Sequence, residues 1–260
     1  MQLPNYQAST NAQQGFAPAK EALTDKVVLI TGATGGLGTS LSIACAQAGA
    51  TVVLASRNQK KLEKLYDVIE ESGAATPVII PLQQDKAGPG EYSELAQLLH
   101  KELGQLDALV HCSAQLGTPT PQISIDHTEW IQVMNVNLTA ARLLSLHCMP
   151  MLMNSSLGSV TFLLDHKPGA YWGSYGVSKQ ALQSLMHMLA DETDTRLGDD
   201  GCPLLAINGY DPGPIRTPLR RRAFPGELET ETDLPHTRLG PLLSLILRTQ
   251  RKLTGTAIAF

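Results

Sequence analysis

The chain has 260 residues, of which 43% are hydrophobic, and carries a formal net charge of -4 from 20 basic and 24 acidic side chains. That length and apolar content suit one large α/β domain with a sizeable core and argue against global disorder. The near-balanced charge offers no electrostatic footprint for nucleic acid, and no apolar run approaches membrane-spanning length. Cys45, Cys112, Cys148 and Cys202 lie far apart and form no CxxC pair, which disfavours a zinc site or a disulfide framework. The N-terminus is polar and lacks the basic-then-apolar order of a secretory signal, so the expectation is a cytoplasmic protein.

Residues 1–24 show no clear period and read as a flexible or loosely docked N-terminal arm, with order beginning near Lys26. Residues 27–31 (VVLIT) form a β-branched run that stops at glycine, as a buried parallel strand does. Further strands are predicted at 51–55, 77–82, 106–112, 159–164 and 203–208, with a short last strand in TAIAF. Helical segments separate them at 38–48, 59–71, 91–103, 127–147 and 175–195, and a last one spans 242–247. Strands alternating with helices at this spacing predict a Rossmann-type, doubly wound parallel sheet of about seven strands in a three-layer α/β/α domain spanning 25–260. Ligands of such sheets sit at the carboxyl ends of the strands. The charged, turn-rich stretch 214–239 follows the sixth strand and is expected to lie over that edge as a substrate lid or a solvated loop.

TGATGGLG (31–38) joins the first strand to a helix. Glycine permits a tight turn and close approach of a pyrophosphate to helix N-terminal amides, so Gly32, Gly36, Leu37 and Gly38 are candidate cofactor residues. A merely structural turn is the alternative. Arg57 lies just past the second strand, where an adenine ribose arrives, and no acid stands at that strand end. A basic residue there suits the 2′-phosphate of NADP(H) over NAD(H); a solvated surface arginine is the plain alternative.

TGATGGLG, RNQKKL, the asparagine of MNVNLTA, YGVSK and DPGPIRT, in this order and spacing, resemble the short-chain dehydrogenase/reductase family, classical branch, over nearly all of 25–260. WGSYGVSK and RRRAFP also look like bacterial reductases of undefined substrate. The resemblance implies that Tyr175 is the catalytic acid/base and Lys179 its partner. Residues four apart share a helix face, so the ammonium is expected to lower the phenol's pKa and to bond the cofactor ribose. It further implies that Asn137 bends the preceding helix and supports a water relay to the lysine, that Thr217 contacts the nicotinamide carboxamide, and that Pro212 and Gly213 shape the turn beneath that ring. The two long helices resemble those packed on a twofold partner in this family, which implies a homodimer or homotetramer.

Three positions depart from the family pattern. Its Asn-Ala-Gly after the fourth strand is Cys112-Ser113-Ala114, a contact point for cofactor with an added methyl group. The acid usual after the third strand aligns with Gln83. Asp165 falls where the family has its catalytic serine, and an ionised carboxylate accepts hydrogen bonds and repels the charge that develops on a carbonyl oxygen. Two functions therefore stand: an NADP(H)-dependent oxidoreductase interconverting a carbonyl and a secondary alcohol, or a nucleotide-binding protein of structural or regulatory role whose catalysis has lapsed. A hydrolase is disfavoured, since no Ser/His/Asp set stands in the expected order. His111 reads as a packed strand residue. His166 is a minor candidate for substrate contact, and the arginines at 216 and 220–222 for an acidic group, against a solvated lid surface offset by ETET.

Overall fold

A computed structural model describes residues 6–260. One parallel sheet of eight strands carries the fold, in the order β1-β8-β7-β6-β5-β2-β3-β4. The strands are β1 (Gln7–Ala8), β2 (Val27–Thr31), β3 (Thr51–Ser56), β4 (Val78–Pro81), β5 (Ala108–His111), β6 (Ser159–Leu163), β7 (Ala206–Asp211) and β8 (Ala257–Ala259). The α-helices are α1 (Asn11–Gln14), α2 (Gly36–Gln47), α3 (Gln59–Glu71), α4 (Pro89–Leu103), α5 (His127–Met134), α6 (Ala140–Met153), α7 (Gly173–Thr193), α8 (Pro218–Ala223) and α9 (Gly240–Ile246).

The central strands are apolar on both faces because both faces are covered by helices. Along β2, Val28 and Ile30 join one core with Leu41 of α2, Leu62 of α3 and Leu242 of α9. Val27 and Leu29 join the other with Leu99 of α4, Leu144 of α6 and Met186 of α7. Each such fully buried side chain contributes about 1.5–3 kcal/mol relative to exposure, so the two clusters fix register as well as stability. None of the described helices is long and apolar enough to cross a membrane.

The structure departs from the sequence expectation in four places. The arm, for which flexibility or loose docking is expected, is paired into the sheet from near residue 6 onward, and its first five residues lie outside the described range. β1 pairs in parallel with β8, Ser9 N–H donates to Ala259 O at 2.7 Å, and Thr10 and Gln13 cap α1 reciprocally. This arm supplies the eighth strand and covers an edge that would otherwise present unpaired backbone groups.

The predicted helix at 127–147 is instead α5 and α6 joined by a π-helical turn, Asn135–Thr139. The sixth inner strand runs through to Asp211 instead of stopping at Asn208. Gly209 does not break it: a Cβ there would collide with the Leu164 side chain, so the glycine makes room for packing. The stretch after β7 is folded and internally tied. Arg216 pairs with Glu229 at 2.8 Å, Arg220 with Glu227 at 2.5 Å, and Arg238 with Asp233. Ile215 and Asp233 form a parallel bridge. Of the offsetting ETET acids, Glu229 is an ion-pair partner while Glu231 accepts from Leu228 N–H, and Glu227 and Asp233 supply the other two pairs that tie the segment together.

Candidate active site

The site is assembled where β2, β5, β6 and β7 end. The glycine loop turns out of β2 with Gly32 at φ 63°, and a Cβ there would lie 2.7 Å from Ser113 N. A Cβ on Gly36 would lie 2.7 Å from the Thr217 methyl, and one on Gly38 would collide with Gly32 O. The loop thus lies against the chain after β5 on one side and against Thr217 of the segment after β7 on the other. Leu37 is buried beneath it. α2 begins with Gly35 as its cap and no side chain bonded to its first amides. A twelve-residue helix with a side-chain-free, glycine-walled N-terminus fits a dinucleotide's pyrophosphate, whose charge those amides would meet.

Thr34 Oγ1 and Ser56 Oγ lie 2.7 Å apart, tying the loop to the end of β3. Arg57, the next residue, is exposed and has no ion-pair partner among the described residues. Gln83 is likewise exposed beyond β4. Cys112 follows β5, its N–H donating to Thr31 O at 3.2 Å, and burial pushes its thiol up to about 12. A neutral thiol at this position packs and is a poor nucleophile. Past β7, Gly213 at φ 67° makes the turn and donates its N–H to Asp211 Oδ1 at 2.9 Å, beside buried Pro212. Thr217 caps α8 by accepting from Arg220 N–H at 3.1 Å.

Asn137 sits inside the π turn and is almost wholly buried. Its Nδ2 donates to Gln115 O at 3.0 Å and to Ser178 Oγ at 2.9 Å, while Gln115 N–H donates to its Oδ1 at 2.7 Å. One side chain therefore pins the β5 exit loop, the π turn and α7 together. The widened turn explains the bend that the resemblance implied at this residue.

Tyr175 and Lys179 lie one turn apart on α7, both buried. Lys179 Nζ donates to Leu163 O at 2.7 Å and stands 5.8 Å from the Tyr175 ring centre. Tyr175 O–H donates to Asp165 Oδ2 at 2.9 Å. The other carboxylate oxygen is held by Lys167 Nζ at 2.6 Å. Asp165 is thus in the site, facing the tyrosine, despite the short loop that leads to α7.

The electrostatics correct one expectation. Lys179 was expected to lower the Tyr175 phenol. Burial, followed by the Asp165 charge and hydrogen bond and then by Asp211, instead raises it well above its ordinary value. Lys179 is itself lowered, chiefly by burial, against the upward pull of Asp165 and Asp211. Burial also lowers His111 to about 3, so it is a neutral ring, bonded to Ser145 Oγ at 2.9 Å and stacked on Phe162 at 4.9 Å. His166 turns to Gln180, 3.0 Å from its Nδ1, and away from the carboxylate beside it.

Several members of the site carry no signal in the sequence pattern. Lys167 lies over Trp172, its Nζ 5.4 Å from the ring centre, and Trp172 sits between Tyr175 at 6.0 Å and Phe224 of the lid at 5.6 Å. Arg220, ion-paired to Glu227, covers the Phe224 ring at 4.4 Å. Tyr6 of the arm meets His166 edge-on at 6.0 Å, its phenol raised by burial and by Asp211 and Asp165. Among these, His166 and the arginines are the candidates visible in the sequence, the arginines only as a charge run.

Comparison with known proteins agrees with this geometry. The family model described as short chain dehydrogenase matches residues 26–228. YciK of Escherichia coli K12, an uncharacterized oxidoreductase, is 31% identical over 243 residues, covering 92% of this chain and 93% of that protein. A structure described as a short chain dehydrogenase of Pseudomonas syringae superposes with a TM-score of 0.87 at 33% identity, covering 94% of this chain and 98% of the other. A Shigella flexneri short chain dehydrogenase, solved in complex with NADP, gives a TM-score of 0.87 at 30% identity over 93% of this chain and 99% of the other.

Proposed function

Because this chain belongs to the short chain dehydrogenase family, we propose that it is an NADP(H)-dependent oxidoreductase that interconverts a carbonyl and a secondary alcohol. The observation that carries this reading is the placement of Tyr175 and Lys179 on one face of α7, at the strand ends shared with the uncapped glycine start of α2. Bound NADPH would supply the hydride. Gly32, Gly36, Leu37 and Gly38 would hold its pyrophosphate, with Cys112, Lys179, Pro212, Gly213 and Thr217 along the nicotinamide half. Tyr175 gives its proton to the substrate oxygen. Asn137 holds the exit loop of β5 and α7 in register, so that the tyrosine and the glycine loop keep a fixed separation. The folded segment after β7 excludes water from above.

The competing reading, a nucleotide-binding protein without catalysis, is favoured by one observation: Asp165 occupies the serine position and takes the Tyr175 O–H. NADPH-dependent reduction across a panel of aldehydes and ketones separates the two. Reduction that Tyr175→Phe removes supports the oxidoreductase; NADPH binding with no reduction of any carbonyl rejects it.

Cofactor choice rests on Arg57, whose exposed guanidinium stands free at the β3 end, and on the NADP bound by the Shigella relative. Titration calorimetry should show tighter binding of NADPH than NADH. Arg57→Ala should weaken NADPH by roughly 10-fold and leave NADH unchanged, as loss of one solvent-screened, charge-assisted phosphate contact predicts. Equal affinities in the wild type would reject the assignment.

Assembly rests on the outward faces of α5 and α7, where Ile131 is 44%, Val177 39% and Met188 60% exposed. A self-complementary helix pair is the natural twofold contact for such a surface. Light scattering at micromolar concentration should give a dimer or tetramer, and Met188→Asp should lower the mass to the monomer's. A monomeric wild type would refute it.

A further inference from the structure

We propose that Lys167 is the hydrogen-bond donor to the substrate's carbonyl oxygen, supplying from two residues further along the chain what Asp165 cannot. The inference rests on the reductase reading above. Its geometric basis is a single carboxylate with two donors on it: Tyr175 O–H at 2.9 Å and Lys167 Nζ at 2.6 Å. Asp165 therefore marks a place where negative oxygen is already solvated by one proton donor and one ammonium. A carbonyl oxygen that gains charge during reduction needs the same two partners.

Lys167 is built into this place. Its side chain is only 23% exposed, against 79% for the solvated Lys101. The indole of Trp172 lies under its ammonium, and Trp172 in turn contacts the Tyr175 ring. The neighbouring cationic candidates are committed elsewhere. Lys179 donates to Leu163 O, and His166 turns to Gln180. Among the described residues, Lys167 is the one cation paired with Asp165.

The chemistry balances without a further reagent. The substrate's C=O π bond opens as carbon accepts the hydride, NADPH being oxidised, and oxygen takes the proton of Tyr175. Lys167 keeps all its protons and donates only a hydrogen bond. That bond is charge-assisted and so stronger than a serine hydroxyl's. Asp165 holds the ammonium in position between turnovers, and its carboxylate gives way as the substrate oxygen enters.

Lys167→Met and Lys167→Arg, assayed with NADPH against benzaldehyde and diacetyl, test the assignment. The methionine variant should lose about 100-fold in kcat, and the arginine variant should regain at least about 10-fold of that, with NADPH affinity by calorimetry unchanged in both. Wild-type rates in Lys167→Met would overturn the assignment. If the wild type reduces neither probe, the carbonyl panel above judges the reductase reading and benzoate binding separately judges the donor. Asp165→Ser frees both donors and should bind benzoate, and adding Lys167→Met should weaken that binding at least about 10-fold. Equal benzoate affinity in the single and double variants would overturn the proposal.

Discussion

Tyr175→Phe should lower NADPH-dependent carbonyl reduction by roughly 100- to 10,000-fold, the range for loss of a positioned general acid, with NADPH affinity unchanged. Among the described residues the phenol is the one hydroxyl that donates a hydrogen bond to the Asp165 carboxylate, and that bond requires the protonated form. Burial, then Asp165, then Asp211, holds it protonated well above its ordinary value. A protonated tyrosine is the competent species for reduction and the incompetent one for alcohol oxidation. The sign of the pH dependence follows. Reduction should stay level through neutral pH and decline only far into the alkaline range, where the phenol ionises. Oxidation, which needs the phenolate, should climb steadily with pH and show no plateau below about pH 10. Steady-state assays in both directions across pH measure this. An oxidation plateau near neutrality would show that the phenol is not held protonated, and a loss under tenfold in Tyr175→Phe would remove it from the chemistry.

Asp165→Ser should raise reduction about tenfold or more, equivalent to at least ~1.4 kcal/mol of recovered transition-state stabilisation, with NADPH binding little changed. In the wild type the carboxylate competes with substrate oxygen for Tyr175 O–H and for Lys167. Serine withdraws that competitor, releases both donors and adds a hydroxyl of its own. On the cofactor side Gly32 lies close to Ser113 and Gly36 close to Thr217, and the hydrogen bond and ion pair of Asp165 go to Tyr175 and Lys167 instead. Kinetics on the same carbonyl panel, paired with calorimetry, decide the matter. A slower serine variant would mean that the carboxylate's hold on the ammonium outweighs its competition with substrate.

The parts of this molecule that obey a short period were legible from the chain. The first inner strand occupies the predicted residues 27–31, because a β-branched run between a charged residue and a glycine has one place to start and stop. TGATGGLG read as a phosphate cradle, since the strand–glycine–helix order is local. Tyr175, Lys179 and Asn137 were singled out by the family resemblance, and the first two share a face of α7 as residues four apart do. The features that escaped are non-local or non-periodic. A π turn keeps nearly helical apolar spacing, so Asn135–Thr139 passes for α-helix until Asn137's bonds to Gln115 and Ser178 are seen. A two-residue strand offers no window for alternation, which hid β1. Lys167 sits in an irregular loop, where sequence gives no direction for a side chain, and only the fold shows it on Asp165 and Trp172. The Asp165 charge was readable, but its neutralisation by that lysine was not.

The pairing of Gln7 with Ile258 and of Ala8 with Ala259 sets an order of events in biosynthesis. Among the described strands β1 is made first, yet the one it bonds, β8, is the last of them in chain order. Contacts spanning so much chain form late, because the entropy of closing the loop must be met before the contact returns anything. The arm therefore has no native strand partner throughout elongation, while the inner strands from β2 to β7 are already able to pair with one another. Its arrival on β8 brings Tyr6 against His166, next to Asp165. The same step that seals the sheet thus completes one wall of the candidate site, so a nascent chain whose glycine loop has already folded is still unfinished beside Asp165.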